Sequence, residues 1–141
     1  MAGEKSIHFM FWSETSTEHI AISTVKMSAI HDSFISGLSC SPEGILYMLD
    51  TGLSSVYRVD LNNGDCTRIL QLESSVDIVY FGIFVLVLTK TGVIVFDPLG
   101  KLIKAFSASF PSPPVAVSHN NDSIIVTCQA ADICNMKIDI I

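Results

Sequence analysis

The chain has 141 residues, 49 % of them apolar and 16 % charged, which is too hydrophobic for a disordered segment and is sized for one domain with a core. Eight Lys and Arg stand against 14 Asp and Glu, a formal charge of −6, so the basic field that phosphate-backbone binding requires is missing and nucleic acid is not an expected partner. The longest apolar run, Ile78 to Leu88, has 11 residues, well short of the roughly 20 that a membrane-spanning helix needs, and reads as buried strand.

In chain order, Ile7 to Trp12 is too brief for the apolar part of a secretory signal and has no small-residue cleavage site after it, which points to a cytoplasmic or nuclear protein. Phe9 and Phe11 alternate with Trp12, so the first expected strand, Ile7–Ser13, carries aromatics on both faces. Trp12 is therefore either packed between sheets or an exposed anchor for a partner. A second strand, His19–Met27, completes a hairpin. Short runs rich in Val, Ile, Leu, Phe and Tyr then recur between clusters of turn residues such as Ser41-Pro42-Glu43-Gly44, Asn62-Asn63-Gly64-Asp65, Lys90-Thr91-Gly92 and Pro98-Leu99-Gly100. They predict the strands Ile35–Cys40, Ile45–Leu49, Val56–Leu61 and Thr67–Leu72; then Val76–Tyr80, Ile83–Thr89, Val93–Asp97 and Leu102–Ser107; then Val115–Ser118, Ser123–Cys128 and Asn135–Ile140. Helical periodicity is absent and the turns are short, so the expected class is all-β with antiparallel pairing.

The strands repeat as a group. Val56 to Asp60, Val93 to Asp97 and Asn135 to Asp139 each end on an Asp, at intervals of 37 and 42 residues (97 − 60 and 139 − 97), and each follows another apolar strand. A four-strand unit with a period near 40 is the signature of a propeller blade. Leu38-Ser39-Cys40-Ser41-Pro42-Glu43-Gly44-Ile45-Leu46-Tyr47-Met48, followed by Val56-Tyr57-Arg58-Val59-Asp60-Leu61-Asn62-Asn63-Gly64, resembles one blade of the β-propeller superfamily in its WD40-like and NHL-like forms. Val59-Asp60, Phe96-Asp97 and Ile138-Asp139 stand where a WD40 blade has Trp-Asp. The resemblance covers about residues 31 to 141, and the count of thirteen strands divides the chain into a half blade over 7–27, blades over 31–72 and 74–107 and an incomplete blade over 109–141, a partial or split β-propeller whose ring does not close on these strands alone. The chain is thus a piece or short isoform of a longer propeller, one that completes its ring with another chain, or an open or sandwich-like sheet stack. Bare blade faces and unpaired edges then call for a protein partner or self-association to cover them.

No residue cluster names a chemistry. His8, His19, His31 and His119 lack companions at metal-ligand spacing, and Cys40, Cys66, Cys128 and Cys134 form no CxxC pair, so no metal and no cofactor is expected and the thiols read as small hydrophobes. The recurring Asp60, Asp97 and Asp139 read as turn caps rather than catalytic groups. Phe110-Pro111-Ser112-Pro113-Pro114 reads as a stiff connector between blades. Through Glu73 the chain carries 4 basic and 9 acidic residues, which hints at a basic partner surface. The expected role is a non-catalytic protein-interaction module within a larger assembly. Its docking residues are sought in the loops between second and third strands, with Thr51, Leu53, Lys90, Gln129 and Asp132 as candidates beside Trp12. The alternative is a small-molecule-binding or hydrolytic propeller using an axial cavity, against which the innermost strands offer Asp77 as their one acidic residue.

Overall fold

The computed structural model describes residues 5–13, 16–27, 34–120 and 122–138, with side chains in the last two ranges. The described residues form thirteen strands and no helix, and so no helix long and apolar enough to cross a membrane. A hairpin of β1 (Lys5–Ser13) and β2 (Ser16–Met27) precedes two four-stranded meanders, β3 (Ile35–Cys40), β4 (Ile45–Asp50), β5 (Ser55–Asp60), β6 (Cys66–Gln71) and β7 (Ser75–Phe81), β8 (Phe84–Thr89), β9 (Gly92–Phe96), β10 (Leu102–Ser107). A three-stranded sheet of β11 (Pro114–His119), β12 (Ser123–Cys128) and β13 (Ile133–Lys137) follows. Every pairing is antiparallel between neighbours in the chain, as the all-β expectation requires. The last strand begins two residues before its expected start at Asn135, because Ile133 already pairs with Thr127 across a tight turn. Asp139 lies outside the described residues.

The second strands show why the sheets stack. β4, β8 and β12 begin at Ile45, Phe84 and Ser123, 39 residues apart each time (84 − 45 and 123 − 84), and bury residues on both faces. In β8 the alternation sends Val85 and Val87 to one side and Leu86 and Leu88 to the other. Val85 and Val87 pack with Tyr47, Leu49 and Val56 of the first sheet, while Leu86 and Leu88 pack with Ile124, Val126 and Cys128 of the third. A central strand buried on both faces is favoured by β-branched and aliphatic residues, which β8 supplies without interruption.

The first strands, β3, β7 and β11, lie side by side along the inner edge of the stack. Two hydrogen bonds join them across the seams. The Tyr80 amide donates to Ser39 Oγ at 2.8 Å, and the Val117 amide donates to Asp77 Oδ2 at 2.9 Å. Asp77 is thus a clamp on the next sheet's backbone. Gly37 makes room for it, since a Cβ there would stand 2.7 Å from Asp77 Oδ1.

The far face of the third sheet differs from the buried ones. Ser118, Ile125 and Asn135 form one cross-strand row, and Ala116, Thr127 and Ile133 the next, with Lys137 opposite Ser123. The corresponding rows of the first two sheets are Tyr47 with Arg58 and Leu86 with Val95.

Removing the clamp gives a stability prediction. Asp77→Ala strands the half-buried Val117 amide and should lower the unfolding free energy by about 1–3 kcal/mol in urea denaturation. Asp77→Asn keeps an acceptor oxygen and should cost less than Asp77→Ala.

Candidate functional site

Turns at alternate ends of an antiparallel meander collect on opposite rims. One rim carries residues 51–54, 72–74, 90–91, 108–113 and 129–132; the other carries 41–44, 61–65, 82–83 and 97–101. The two rims solve their backbone geometry differently. Gly44, Gly64, Gly82 and Gly100 take positive φ on the second rim, where glycine does so at little cost. On the first rim the left-handed positions are Ser54 (φ 51°), Ser74 (φ 60°) and Ala131 (φ 62°), which carry a Cβ and are strained there.

All five loop candidates lie on the first rim. Thr51 and Leu53 are half-buried in the β4–β5 turn, which is pinned from beneath by the buried Asp50: its Oδ1 accepts from the Leu53 amide at 3.0 Å and from the Phe34 amide at 2.9 Å. Lys90 and Gln129 are exposed and come together, lining a cleft of about 470 Å³ with Val76, Pro113 and Pro114 at the seam between the second and third sheets. Half-buried Asp132 sits behind this cleft, where its Oδ2 accepts from Ser112 Oγ at 3.3 Å while Ser112 Oγ accepts from the Ala130 amide at 3.1 Å. Thr51 and Leu53 belong to the first sheet and do not line this cleft. Trp12 stands opposite Ile20 in the hairpin register, and its side chain lies outside the described residues.

The recurring carboxylates are engaged by backbone. Asp60 Oδ1 accepts from the Asn62 amide at 2.9 Å, and Asp97 Oδ1 accepts from the amides of Leu99 and Lys101, both at 2.9 Å. They are the turn caps that their position before each turn suggests. Among the described residues no group of three or more His, Cys, Asp or Glu is placed to hold a metal ion.

The second rim holds a constellation that the linear sequence does not advertise. Tyr47 of β4 and Tyr80 of β7 stack with ring centroids 5.7 Å apart and 5° between planes. Arg58 stands opposite Tyr47 in the register, near enough for its charge to favour the ionised phenol. With Ser41, Glu43, Ile45, Ile83 and Pro98 they line a second cleft of about 440 Å³. Burial pushes both phenols above their ordinary pKa, with the Glu43 carboxylate adding to the rise and Arg58 opposing it at Tyr47.

No family model matches this sequence, and no curated protein matches it. Solved structures do match. A chain of a nidogen–laminin complex aligns with TM-score 0.72 at 16 % identity, covering 96 % of this chain and 56 % of that one. A gluconolactonase from Xanthomonas campestris aligns at TM-score 0.64 and 16 % identity, with 86 % and 46 % covered. BamB from Moraxella catarrhalis aligns at 0.58 and 16 %, with 86 % and 38 % covered. The chain therefore spans between 38 % and 56 % of the length of these three.

Two outcomes test the rim geometry. Ala131→Gly and Ser54→Gly should each raise stability by up to about 1 kcal/mol in thermal or urea unfolding, since glycine relieves the left-handed strain. Because the folded-state pKa values of Tyr47 and Tyr80 lie above the unfolded ones, stability should hold below pH ~10 and fall as pH rises through the folded values. Tyr47→Phe should flatten that alkaline loss, as read from urea titrations between pH 8 and 11.5. The similar structures are β-propeller proteins, and the described sheets share their fold: the chain is an all-β, incomplete β-propeller built of antiparallel blades.

Proposed function

We propose that the chain is a non-catalytic protein-interaction module that docks a partner on the first rim, in a cytoplasmic or nuclear assembly. The observation that carries this reading is the meeting of Lys90 and Gln129, from two different blades, in one cleft walled by Val76, Pro113 and Pro114. Lysine offers a mobile charge, the glutamine amide both donates and accepts, and the two prolines form a stiff apolar wall. That combination suits an extended peptide whose main chain bonds Gln129 and whose acidic side chain reaches Lys90. The engagement of Asp50, Asp60, Asp77 and Asp97 with backbone amides favours this over a catalytic use of the same carboxylates. Strain held in non-glycine residues on the same rim is also common where loops serve binding.

Three versions of the chain separate the outcomes: the native sequence, Lys90→Glu combined with Gln129→Ala, and Lys101→Glu on the opposite rim. Partners cross-linked and co-purified from cells should be lost from the double variant, with affinity for an isolated partner down by about tenfold or more, and retained by Lys101→Glu. Retention by the double variant, or equal loss from both variants, contradicts docking at this rim. Saturable turnover of a small substrate by the purified chain would overturn the non-catalytic role.

A further inference from the structure

The cleft on the second rim, between the first and second blades, is separate from the proposed docking rim and has a chemistry of its own. Its floor is the Tyr47–Tyr80 stack, and Ile83, 67 % exposed on the tight β7–β8 turn, overhangs it. Arg58 enters from β5. On the face of the first blade that meets the second, Leu49 stands beside Val56, Arg58 lies between Tyr47 and Thr67 in its row, and the residue matching Arg58 in the second blade is Val95. A guanidinium thus occupies a position held by Val95 in the second blade and by the neutral Asn135 in the third.

Arg58 is incompletely satisfied. Its Nε is enclosed and has no hydrogen-bond partner, while its charge favours the ionised form of the neighbouring Tyr47 phenol. Among the described residues no carboxylate forms an ion pair with it, although Glu43 lines the same cleft, near enough to the phenols to oppose their ionisation. A guanidinium without a carboxylate partner, beside aromatic and aliphatic walls, is matched by one planar anion joined to an apolar body, because a carboxylate engages the fork with two hydrogen bonds while the rest of the ligand covers ring and isoleucine. The volume of about 440 Å³ is within the range of small-ligand clefts.

We propose that this cleft binds a carboxylate attached to a flat apolar group, with Arg58 as the anion-recognising residue, Tyr47 and Tyr80 as the apolar floor, and Glu43 as a like-charged gate that weakens and selects binding. A free aromatic acid and the C-terminal residue of a peptide present the same chemistry. They differ only in what lies beyond the carboxylate.

The test is a titration of the full chain followed by amide, Arg Nε–H and tyrosine ring resonances, with three probes: benzoate, a tripeptide ending in phenylalanine, and the C-terminal amide of that tripeptide. At least one of the two acids should produce saturable shifts at Arg58, Tyr47 and Tyr80, and the amide should produce none; the tighter acid identifies the source. Arg58→Gln should weaken the binding acid by about tenfold or more, and Glu43→Gln should tighten it by about two- to threefold. Arg58→Lys keeps the charge without the fork and serves if Arg58→Gln does not fold; its affinity should fall several-fold. Equal binding of acid and amide, absence of saturable shifts with both acids, or an Arg58→Lys chain that binds as the native one does would each overturn the assignment.

Discussion

The structure depends on one constraint: the second and third strands of the middle blade must be apolar on both faces, because each face is the wall of a different seam. β8 and β9 meet it with Val85 and Val87 toward the first blade, and with Leu86, Leu88, Val93 and Val95 toward the third. A polar residue at any of these positions would lose its water on one side with no partner across the seam. The middle blade is therefore the part of the sequence with least freedom. Its neighbours each owe it one face and are free to vary on the other.

The polar groups follow from that constraint. Inner strands approach closely enough that a side chain of one blade can hold the backbone of the next, as Ser39 holds the Tyr80 amide and Asp77 holds the Val117 amide. These bonds run between residues 41 and 40 apart in sequence, about one repeat, so the period of the chain is also the period of its cross-seam links. They fix the relative height of the blades, which apolar contact alone leaves free to slide, since burial is non-directional. With blade heights set, turn residues from different blades become neighbours. Lys90 and Gln129 share a cleft only because the blades are in that register.

Much of this was legible from residue types. Alternating β-formers between turn clusters place the strands, and an Asp before each turn marks the repeat, since Asp60 and Asp97 do cap the turns that follow them. Other features need register, which sequence spacing does not supply. Asp50 carries no visible signal as the pin of two separate amides, Phe34 and Leu53, because one of them is 16 residues away. Tyr47, Arg58 and Tyr80 belong to three strands in two blades. Only the pairing of Tyr47 with Arg58 and the height of β7 against β4 bring them together. The one available clue was an Arg inside a strand where the other blades have the uncharged Val95 and Asn135.

The far face of the third blade differs from the faces buried in the seams. The third blade instead presents Ser118, Thr127, Asn135 and Lys137 among Ala116, Ile125 and Ile133 on its far side. Of its large apolar residues there, Ile133 is 73 % exposed and Ile125 is half-buried, so the apolar area is interrupted rather than continuous. A face of this kind lacks the continuous aliphatic wall of the two buried seams. The proposed docking therefore rests on the rim, where left-handed non-glycine turns and the cleft shared by Lys90 and Gln129 lie on one side of the sheets.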